Sequence, residues 1–265
     1  MFSFQSIGSG SSGNSYYLHT DAGALLIDAG IAERRFRKQT HQYGMSIGKV
    51  AAVLVTHHHI DHIRALGILS QKDGLPVYMT EETKKGIFLN RHITKKPRLE
   101  SITTIYKGNT FRLLDMDITP FGVPHDSRDN SGFLICRGSV RLCIVTDCGH
   151  WTDEIERYVS QATHLVLESN YDPDMLASGP YPLILQDRIR NGNGHLSNPQ
   201  AAEVIARHCQ HLKMIWLCHL SEQNNTPSLA LDSAMRALGD GLTTIVALDR
   251  EKPSKQFDLE ELTLF

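Results

Sequence analysis

The sequence lacks any apolar run approaching the roughly 20 residues that a membrane helix needs, so we expect no membrane-spanning segment. It opens with MFSFQSIGSGSSGN, which has neither the basic nor the apolar region of a signal peptide. Its five cysteines are odd in number and include no CxxC pair, which argues for reduced thiols in the cytoplasm. The net charge of −2 excludes nucleic-acid binding by bulk charge, so a phosphate-bearing substrate would be held locally, by metal ions or a basic patch.

Repeats, low-complexity tracts and long linkers are also missing, which favours a single domain over residues 1–265. Short apolar runs alternate with segments of helical periodicity, in two halves of similar rhythm. This alternation predicts an α/β fold in which two sheets pack together with helices outside. The predicted strands lie at 15–20, 23–29, 50–56, 76–80, within 111–123 and 131–147, and at 163–169, 213–220 and 243–248. The predicted helices cover 62–72, 153–161, 198–210 (with Asn198 as its cap) and 227–238.

The most informative segment is VLVTHHHIDH at 53–62, where four histidines and an aspartate directly follow a buried strand. His57 and His59 are two residues apart and project to the same side of an extended chain. Asp61 and His62 follow at the start of a helix and offer a carboxylate and an imidazole to a second ion. Imidazole and carboxylate ligands together suit zinc, manganese or iron. The alternative is a polar loop or helix cap with chance histidines, which the specific HxHxDH spacing disfavours.

Three more polar residues each stand at the end of an apolar run elsewhere in the chain. They are His125 after ITPFGVP, Asp147 after RLCIVT and His219 after KMIWLC. Any one of them alone would more often be a capping or otherwise satisfied residue. Together with the HxHxDH segment, however, they complete the ligand set that a dinuclear metal site needs. His58 alternates to the other side of the chain and is not expected to be a ligand.

The chain resembles the metallo-β-lactamase-fold hydrolases over nearly its whole length. The resemblance rests on LLIDAG (25–30), THHHIDH (56–62), the lone His125, TDCG (146–149) and CHLS (218–221), in the family's order. It implies a four-layer αβ/βα sandwich with two divalent metal ions in a cleft at the sheet edge. It also implies a role for each polar residue: His57, His59 and His125 hold one ion, Asp61, His62 and His219 hold the other, Asp147 bridges them, and Asp28 orients a ligand from behind.

Within that superfamily the chain is most similar to small stand-alone proteins of the YycJ/WalJ/VicX type. The shared segments are GSGSSGNS (8–15), HDS (125–127), LESNYDPDML (167–176), YP (181–182), GHLSNPQAA (194–202) and HLSEQNNTP (219–227). The resemblance implies a metal-dependent phosphodiesterase or nuclease that acts on single-stranded or duplex DNA ends rather than RNA, with manganese as its metal. The ligand types themselves accept Zn²⁺, Mn²⁺ or Fe²⁺. One residue departs from the pattern, because that branch usually has histidine where Tyr171 stands. No role is therefore carried over to Tyr171, while the ligand set is unaffected.

Glu168 in LES and His195 in GHLSN also resemble the glutamate–histidine pair near the scissile phosphate in the tRNA 3′-processing endonucleases. A neighbouring carboxylate favours the protonated imidazole, so His195 would donate a proton to the leaving oxygen. The attacking group would be a hydroxide formed from a water that the two metal ions activate, and Asp61 would orient this water or accept its proton. The alternative is that His195 simply caps the helix that starts near Asn198.

The segment GSGSSGN at 8–14 contains the first candidate substrate contacts. Ser11 and Asn14 could face a phosphate there, and backbone N–H groups could bind it. The segment lacks the GK[ST] that ends a Walker loop, and a plain tight turn explains it equally well. Asn224 and Asn225 become candidates through the family resemblance alone.

The basic stretch KKGIFLNRHITKKPR at 84–98 contains no acidic residue. It is either an ordinary solvated face or a phosphate-tracking patch beside the cleft, and a steep loss of nucleic-acid affinity with salt would support the second interpretation. Its aromatic residues are too sparse to predict base stacking along it.

Several other functions are alternatives on the same fold. A hydrolase of a thioester or lactone is disfavoured by the pair of Glu168 and His195. A non-catalytic regulatory protein that keeps its metals for stability is disfavoured by the complete ligand set. A di-iron electron-transfer protein would have glutamate where His59 stands and would carry a flavin domain. A secreted β-lactamase would carry a signal peptide.

Overall fold

The first of two mixed sheets contains the N-terminal part of the chain in this computed structural model, which describes residues 1–260. Its strands are β1 (Phe2–Gly8), β2 (Ser15–Thr20), β3 (Gly23–Ile27), β4 (Val50–Leu54), β5 (Val77–Met79) and β6 (Ile102–Thr104). Strands β1, β2 and β3 are antiparallel neighbours, and β3 to β6 run parallel. The parallel half places the carboxyl ends of β3 and β4 side by side.

The second sheet repeats this plan. Its strands are β7 (Phe111–Leu113), β8 (Met116–Gly122), β9 (Ser131–Arg137), β10 (Val140–Val145), β11 (His164–Glu168), β12 (Met214–Cys218) and β13 (Thr244–Ala247). Strands β7 to β10 are antiparallel, and β10 to β13 are parallel. A last short strand, β14 (Phe257–Asp258), returns to the first sheet and pairs with β1. The two halves of similar rhythm in the sequence thus correspond to two sheets of the same design.

Most of the helices lie on the outer faces of the two sheets. Within residues 1–260 they are α1 (Glu33–Gln42), α2 (Ile60–Ile63), α3 (Leu66–Lys72), α4 (Glu81–Leu89), α5 (Asp153–Val159), α6 (Pro173–Ser178), α7 (Leu183–Arg190), α8 (Asn198–His208) and α9 (Pro227–Leu238). Apolar residues of α1, α3 and α4 pack on the first sheet, and those of α5, α8 and α9 pack on the second. In residues 1–260 no helix combines the length and the apolar content that crossing a bilayer requires.

A third apolar layer joins the two sheets face to face. Phe4 and Leu18 of the first sheet pack there with Phe133 and Trp216 of the second, and the ring centroids of Phe4 and Trp216 are 4.5 Å apart. The order of layers is therefore helix, sheet, sheet, helix, which confirms the predicted four-layer αβ/βα sandwich.

Two local predictions were wrong. The helix predicted over 62–72 is interrupted between α2 and α3, because the backbone N–H of Ala29 donates to the carbonyl of His62 and Ala65 donates to Ala29, at 2.8 Å each. These two hydrogen bonds join the segment between α2 and α3 to the residues after β3, and they replace hydrogen bonds that a continuous helix would make. The cap of α8 is Ser197 rather than Asn198, since the Ser197 hydroxyl accepts from the Gln200 backbone in a capping box.

His164 introduces a pH-sensitive element into the layer between the sheets. Its ring is fully buried, stacks at 6.0 Å on Trp216, and leaves Nε2 without a hydrogen-bond partner among residues 1–260. Burial, with a smaller contribution from Lys213, lowers the pKa of His164 to about 4. Between that value and the ordinary pKa of about 6.5, the unfolded chain binds a proton that the folded chain excludes.

We therefore expect stability from this site to be present above about pH 6.5 and to be lost as the pH falls towards 4. His164→Phe should remove this dependence, so wild type should lose up to about 2 kcal/mol more than the variant between about pH 7 and about pH 5. Urea unfolding of both proteins in the presence of a chelator measures the difference. Equal losses in the two proteins would show that His164 is not the responsible group.

Candidate metal centre

The polar residues singled out in the sequence meet where parallel strands of both sheets end. Asp28 follows β3, His57 lies beyond β4, Asp147 lies beyond β10, Glu168 ends β11 and His219 follows β12. The carboxyl ends of neighbouring parallel strands lie at one edge of a sheet, where open α/β sheets commonly place their sites. The topology therefore gathers side chains that are far apart in the sequence.

Three of these strand ends have a left-handed backbone. The φ angle is 59° at Asp28, 52° at Asp147 and 54° at His219. Non-glycine residues in this region cost on the order of 1–3 kcal/mol each and persist only where the surroundings hold them. The Asp28 N–H donates to the Leu54 carbonyl at 2.8 Å, and the His219 N–H donates to the Ser9 hydroxyl at 3.0 Å. Backbone strain of this kind clusters at functional sites, so its concentration here supports this edge as the candidate site.

A first group of potential ligands consists of His57, His59 and His125, whose ring nitrogens lie within 4.8 Å of one another. Nδ1 of His59 is 3.2 Å from Nε2 of His125. Nε2 of His57 is buried and has no hydrogen-bond partner among the described residues. A buried polar atom without a partner is costly, and a cation bound by the three nitrogens would satisfy it. The group therefore fits a divalent metal ion.

A second group consists of Asp61, His62 and His219, again with ligand atoms within 4.8 Å. Oδ2 of Asp61 lies 3.3 Å from Nε2 of His219 and 3.6 Å from Nε2 of His62. Asp147 stands between the two groups: its Oδ2 is 3.1 Å from Nε2 of His62, and its Oδ1 is 3.7 Å from Nε2 of His125. Oδ1 is also 3.5 Å from Nδ1 of His219, so the carboxylate lies against both groups, as a bridging ligand must.

The second nitrogen of several rings is held by a neighbouring group. Nδ1 of His62 is 2.7 Å from Oδ2 of Asp28, and Nδ1 of His57 is 3.0 Å from the Thr56 hydroxyl. Thr56 itself donates to Asp28 from its backbone and its hydroxyl, both at 2.8 Å. Nδ1 of His125 lies 2.8 Å from the Gly194 carbonyl. Such partners fix the ring orientation and leave the other nitrogen for a metal.

The electrostatics of the two groups differ. Burial lowers the pKa of His57 well below its usual value, and burial, helped by His125, lowers that of His59 to about 4. Burial also opposes protonation of His62 and His219, but Asp147 and neighbouring carboxylates outweigh it and raise the pKa of His62 well above normal and that of His219 to about 10. The second group therefore carries protons that a metal ion would displace.

Glu168 connects the metal groups to His195. Its buried carboxylate accepts from Nδ1 of His195 at 2.7 Å and from Nδ1 of His219 at 2.9 Å. The backbone N–H groups of Cys148 and Leu196 donate to its other oxygen at 2.8 and 3.0 Å. Burial alone would lower the pKa of His195, but the charge of Glu168 outweighs it and raises that pKa. Since Ser197 caps α8, the ring of His195 pairs with Glu168 and not with the helix terminus.

An open cleft of about 530 Å³ lies over these residues. Ser11, Asp61, His125, Asp147, His195 and His219 line it. The loop after α4 also reaches it through Asn90, His92 and Ile93, so part of the basic stretch 84–98 borders the cleft. Lys84 and Lys85 of that stretch instead pair with Glu81 and Glu82 of the same helix, at 3.4 and 2.6 Å. The basic charge near the cleft is therefore smaller than the sequence alone indicates.

The four candidate substrate residues do not share one environment. Ser11 is exposed and lines the cleft. Asn14 is buried, and its Nδ2 lies 3.0 Å from Nε2 of His62 while its backbone N–H donates to the Asp61 carbonyl at 2.8 Å. Asn14 thus supports the segment that carries the second group.

Asn224 and Asn225 are each 1% exposed and do not line the cleft. Nδ2 of Asn225 donates to the Ser169 carbonyl and to Oδ1 of Asn198, both at 2.9 Å. The Asn225 side chain thus joins two loops, whereas the side chain of Asn224 donates to the nearby Ser221 hydroxyl, at 3.4 Å. Tyr171, where the related branch has histidine, is buried in a small cluster with Leu176 and Ile189.

Two residues near the site were missed by the sequence analysis. Oδ1 of Asp126 lies 3.3 Å from Nε2 of His125 and 3.9 Å from Nε2 of His59. Nε of Arg188 donates to Oδ2 of Asp126, and both residues line the cleft. The HDS triplet at 125–127 pointed to Asp126, whereas Arg188 lies in α7, a helix that was not predicted.

Comparison with known proteins gives the family. The sequence pattern of the family described as "Beta-lactamase superfamily domain" matches residues 24–217. The chain belongs to the metallo-β-lactamase superfamily. It is 34% identical over 239 residues to exodeoxyribonuclease YycJ of Bacillus anthracis, a match that covers 89% of this chain and 88% of that one. The resemblance to the YycJ/WalJ/VicX branch is therefore confirmed.

Solved structures of the superfamily share the fold at low identity. The metallo-β-lactamase fold protein YhfI from Bacillus subtilis superimposes with a TM-score of 0.72 at 17% identity, covering 96% of this chain and 99% of that one. Human tRNase Z, short form, superimposes with a TM-score of 0.63 at 16% identity, covering 97% and 99%. These superpositions confirm that this chain has the four-layer sandwich architecture.

Proposed function

We propose that this chain is a metal-dependent phosphodiesterase that hydrolyses nucleic acid, with DNA preferred over RNA and with an end of the strand as its point of attack. The observation that carries the proposal is the pair of Glu168 and His195, in which a buried carboxylate 2.7 Å from Nδ1 holds the imidazole in the cleft beside Asp147 and raises its pKa. An imidazolium suits a reaction whose leaving group is an alkoxide that must gain a proton. The name of the YycJ relative, an exodeoxyribonuclease, supports DNA as the substrate.

In this proposal two divalent ions occupy the site, with Zn²⁺, Mn²⁺ and Fe²⁺ all compatible with its nitrogen and oxygen donors. His57, His59 and His125 would hold one ion, and Asp61, His62 and His219 would hold the other. Asp147 would bridge them, and Asp28 would orient His62 from behind. Bound ions would lower the pKa of water to supply a nucleophile at neutral pH and would stabilise charge on the phosphate.

The chain's own groups have separate tasks. Asp61, at the floor of the cleft, orients the attacking water and accepts its proton. His195 donates its proton to the departing ester oxygen, and Glu168 holds the imidazole in place and charged. Asn14 keeps the segment of Asp61 and His62 in position, and Ser11 faces the substrate at the rim.

The rest of the proposal concerns the chain as a whole. We propose that residues 1–265 act as one domain, supported by the apolar layer that joins the two sheets. A cytoplasmic location is supported by five cysteines that are all unpaired, four of them buried.

Metal dependence provides the test. We expect the metal-stripped protein to be inactive on bis-p-nitrophenyl phosphate and on end-labelled DNA and RNA oligonucleotides, and Mn²⁺ or Zn²⁺ to restore cleavage. DNA should be cleaved faster than RNA, as a ladder that starts from one end. Asp61→Asn should stay at background with every metal.

The exposed Asp240→Asn provides the matched control and should behave as wild type. No cleavage of any phosphodiester with any metal would contradict the proposal. Metal-restored hydrolysis of a thioester or lactone under the same conditions would favour the carboxylic-ester alternative.

A further inference from the structure

A second, smaller pocket opens beside the metal centre. Its volume is about 180 Å³, and its walls include Tyr181, Leu185, Ile189, Asn170 and Ser221. It is smaller than the ~300–1,000 Å³ pockets that bury a drug-sized ligand, so it admits one heterocyclic ring system rather than a longer segment of substrate. The YP dipeptide at 181–182, which no step of the proposed reaction uses, contributes its aromatic wall.

This pocket is continuous with the cleft on the side of His195. Ser11, Asp126, Arg188 and His195 line both spaces. Because His195 is placed to protonate the leaving oxygen, the small pocket lies on the leaving-group side of the scissile phosphate. The nucleoside that departs would be adjacent to it.

The walls combine the surfaces that a nucleobase requires. Tyr181 is half-buried against the cluster of Tyr171, Leu176 and Ile189, which holds its ring in place. Leu185 and Ile189 come from one face of α7, one turn apart, and provide apolar area. Asn170 and Ser221 add polar groups to the lining. Base stacking on aromatic side chains needs this combination of a fixed ring and an apolar floor.

Arg188 stands where the two spaces meet. Its side chain is 58% exposed, and among residues 1–260 it makes one hydrogen bond, from Nε to Asp126. Its remaining N–H groups are thus available to a phosphate oxygen. Ile184, 86% exposed, precedes Arg188 by one turn on the same helix face and extends the apolar surface outward.

From these observations we infer that the pocket formed by Tyr181, Leu185 and Ile189 binds the base of the terminal nucleotide on the leaving-group side, with Arg188 contacting the phosphate next to it. This inference rests on the proposed nuclease function and adds to it a subsite for one base. A subsite that accepts a single base beside the scissile bond favours cleavage at an end of the strand over cleavage in the interior.

Abasic oligonucleotides test the inference. Single-stranded DNA would carry a tetrahydrofuran abasic residue at its first or its last position, and the initial rate of the first cleavage would be compared with that of unmodified DNA. We expect wild type to cleave one of the two abasic substrates about tenfold more slowly, since stacking on an aromatic residue is lost. In Tyr181→Ala the two rates should become nearly equal, whereas Tyr181→Phe should retain the difference.

The ratio of rates on two substrates does not depend on the fraction of folded enzyme, so a destabilised Tyr181→Ala protein is still informative. Tyr106→Ala, which removes a 64%-exposed tyrosine outside both spaces, should keep the wild-type ratio. The subsite would be overturned if wild type cleaved both abasic substrates as fast as unmodified DNA, or if Tyr181→Ala kept the wild-type ratio of the two rates. The nuclease proposal would stand in either case. Failure to cleave even unmodified DNA would overturn both.

Discussion

His195→Ala is expected to lower kcat for DNA hydrolysis by about 10²–10⁴-fold, the usual contribution of a general acid. The reason is that the leaving alkoxide must be protonated as its bond to phosphorus breaks, and His195 is the imidazole in the cleft whose pKa Glu168 raises. The metal content should not change, because neither proposed ion site, His57–His59–His125 or Asp61–His62–His219, includes His195. A further group does bring His195 near Asp147, Glu168 and His219, but Nδ1 of His195 is already paired with the Glu168 carboxylate. Steady-state kinetics together with inductively coupled plasma mass spectrometry measure both quantities.

A comparison of substrates separates an acid from a merely structural residue. The p-nitrophenolate ion is a far weaker base than an alkoxide, so it departs with little help from a proton donor. The loss in His195→Ala should therefore be much smaller on bis-p-nitrophenyl phosphate than on DNA. His41→Ala, an exposed histidine at the end of α1, serves as the control and should show no loss on either substrate. Equal losses on both substrates in His195→Ala would argue against proton donation.

The pH dependence of the hydrolysis rate tests independently whether His195 acts as the acid. An acid is active while protonated, so the rate falls as the pH rises through its pKa. The negative charge of Glu168 raises the pKa of His195. Glu168→Gln removes this charge and replaces the carboxylate with an amide of nearly the same shape. The alkaline fall in rate should then begin at a lower pH than in wild type. An unchanged alkaline limb would show that the carboxylate does not act through His195.

The sequence predicted the candidate site better than it predicted the helices around it. His57, Asp147 and His219 each follow an apolar strand, and parallel strands necessarily end at one edge, so local patterns sufficed to bring them together. The left-handed backbone at Asp147 and His219 has no signal in the sequence, because neither residue is a glycine. Backbone strain of this kind is imposed by tertiary contacts.

The features that the sequence did not indicate are those that depend on distant parts of the chain. Asn14 stays a candidate substrate contact, but its buried amide lies 3.0 Å from Nε2 of His62, 48 positions away, and no local pattern predicts that contact. Arg188 lies in α7, a helix that the sequence did not predict. Its first residues, Leu183 and Ile184, are apolar but exposed, so the apolar residues of this helix do not mark its buried face. Pairing of Arg188 with Asp126 is a contact across 62 positions, which no local pattern encodes.

Gly30→Ala is expected to abolish metal binding at the second group and, with it, activity. A Cβ atom at Gly30 would lie 1.6 Å from the carbonyl oxygen of Asp61 and 2.2 Å from its carbonyl carbon, so one of the two backbones must move. That carbonyl already accepts the Asn14 N–H at 2.8 Å, and the side chains of Asp61 and His62 depend on its position. Displacement of catalytic groups by about 1 Å can cost about 10²-fold in rate, and we expect at least that loss.

The measurement is thermal unfolding with chelator and with saturating Mn²⁺, alongside metal content and turnover. Ions that bind the folded state should raise the Tm of wild type, and Gly30→Ala should lose the part of that rise that the second group contributes, because its displaced ligands no longer hold the ion. The measured metal content should fall correspondingly. This change in Tm on adding metal can be read even if the variant is less stable without metal. Gly48→Ala is the matched control, since its nearest neighbouring atom is 3.8 Å from the added methyl group, and it should keep wild-type metal response and turnover. If metal raised the Tm of Gly30→Ala as much as that of wild type, the Asp61 segment could shift and still bind the ion. The close contact between Gly30 and the Asp61 carbonyl would then not be what positions the second group.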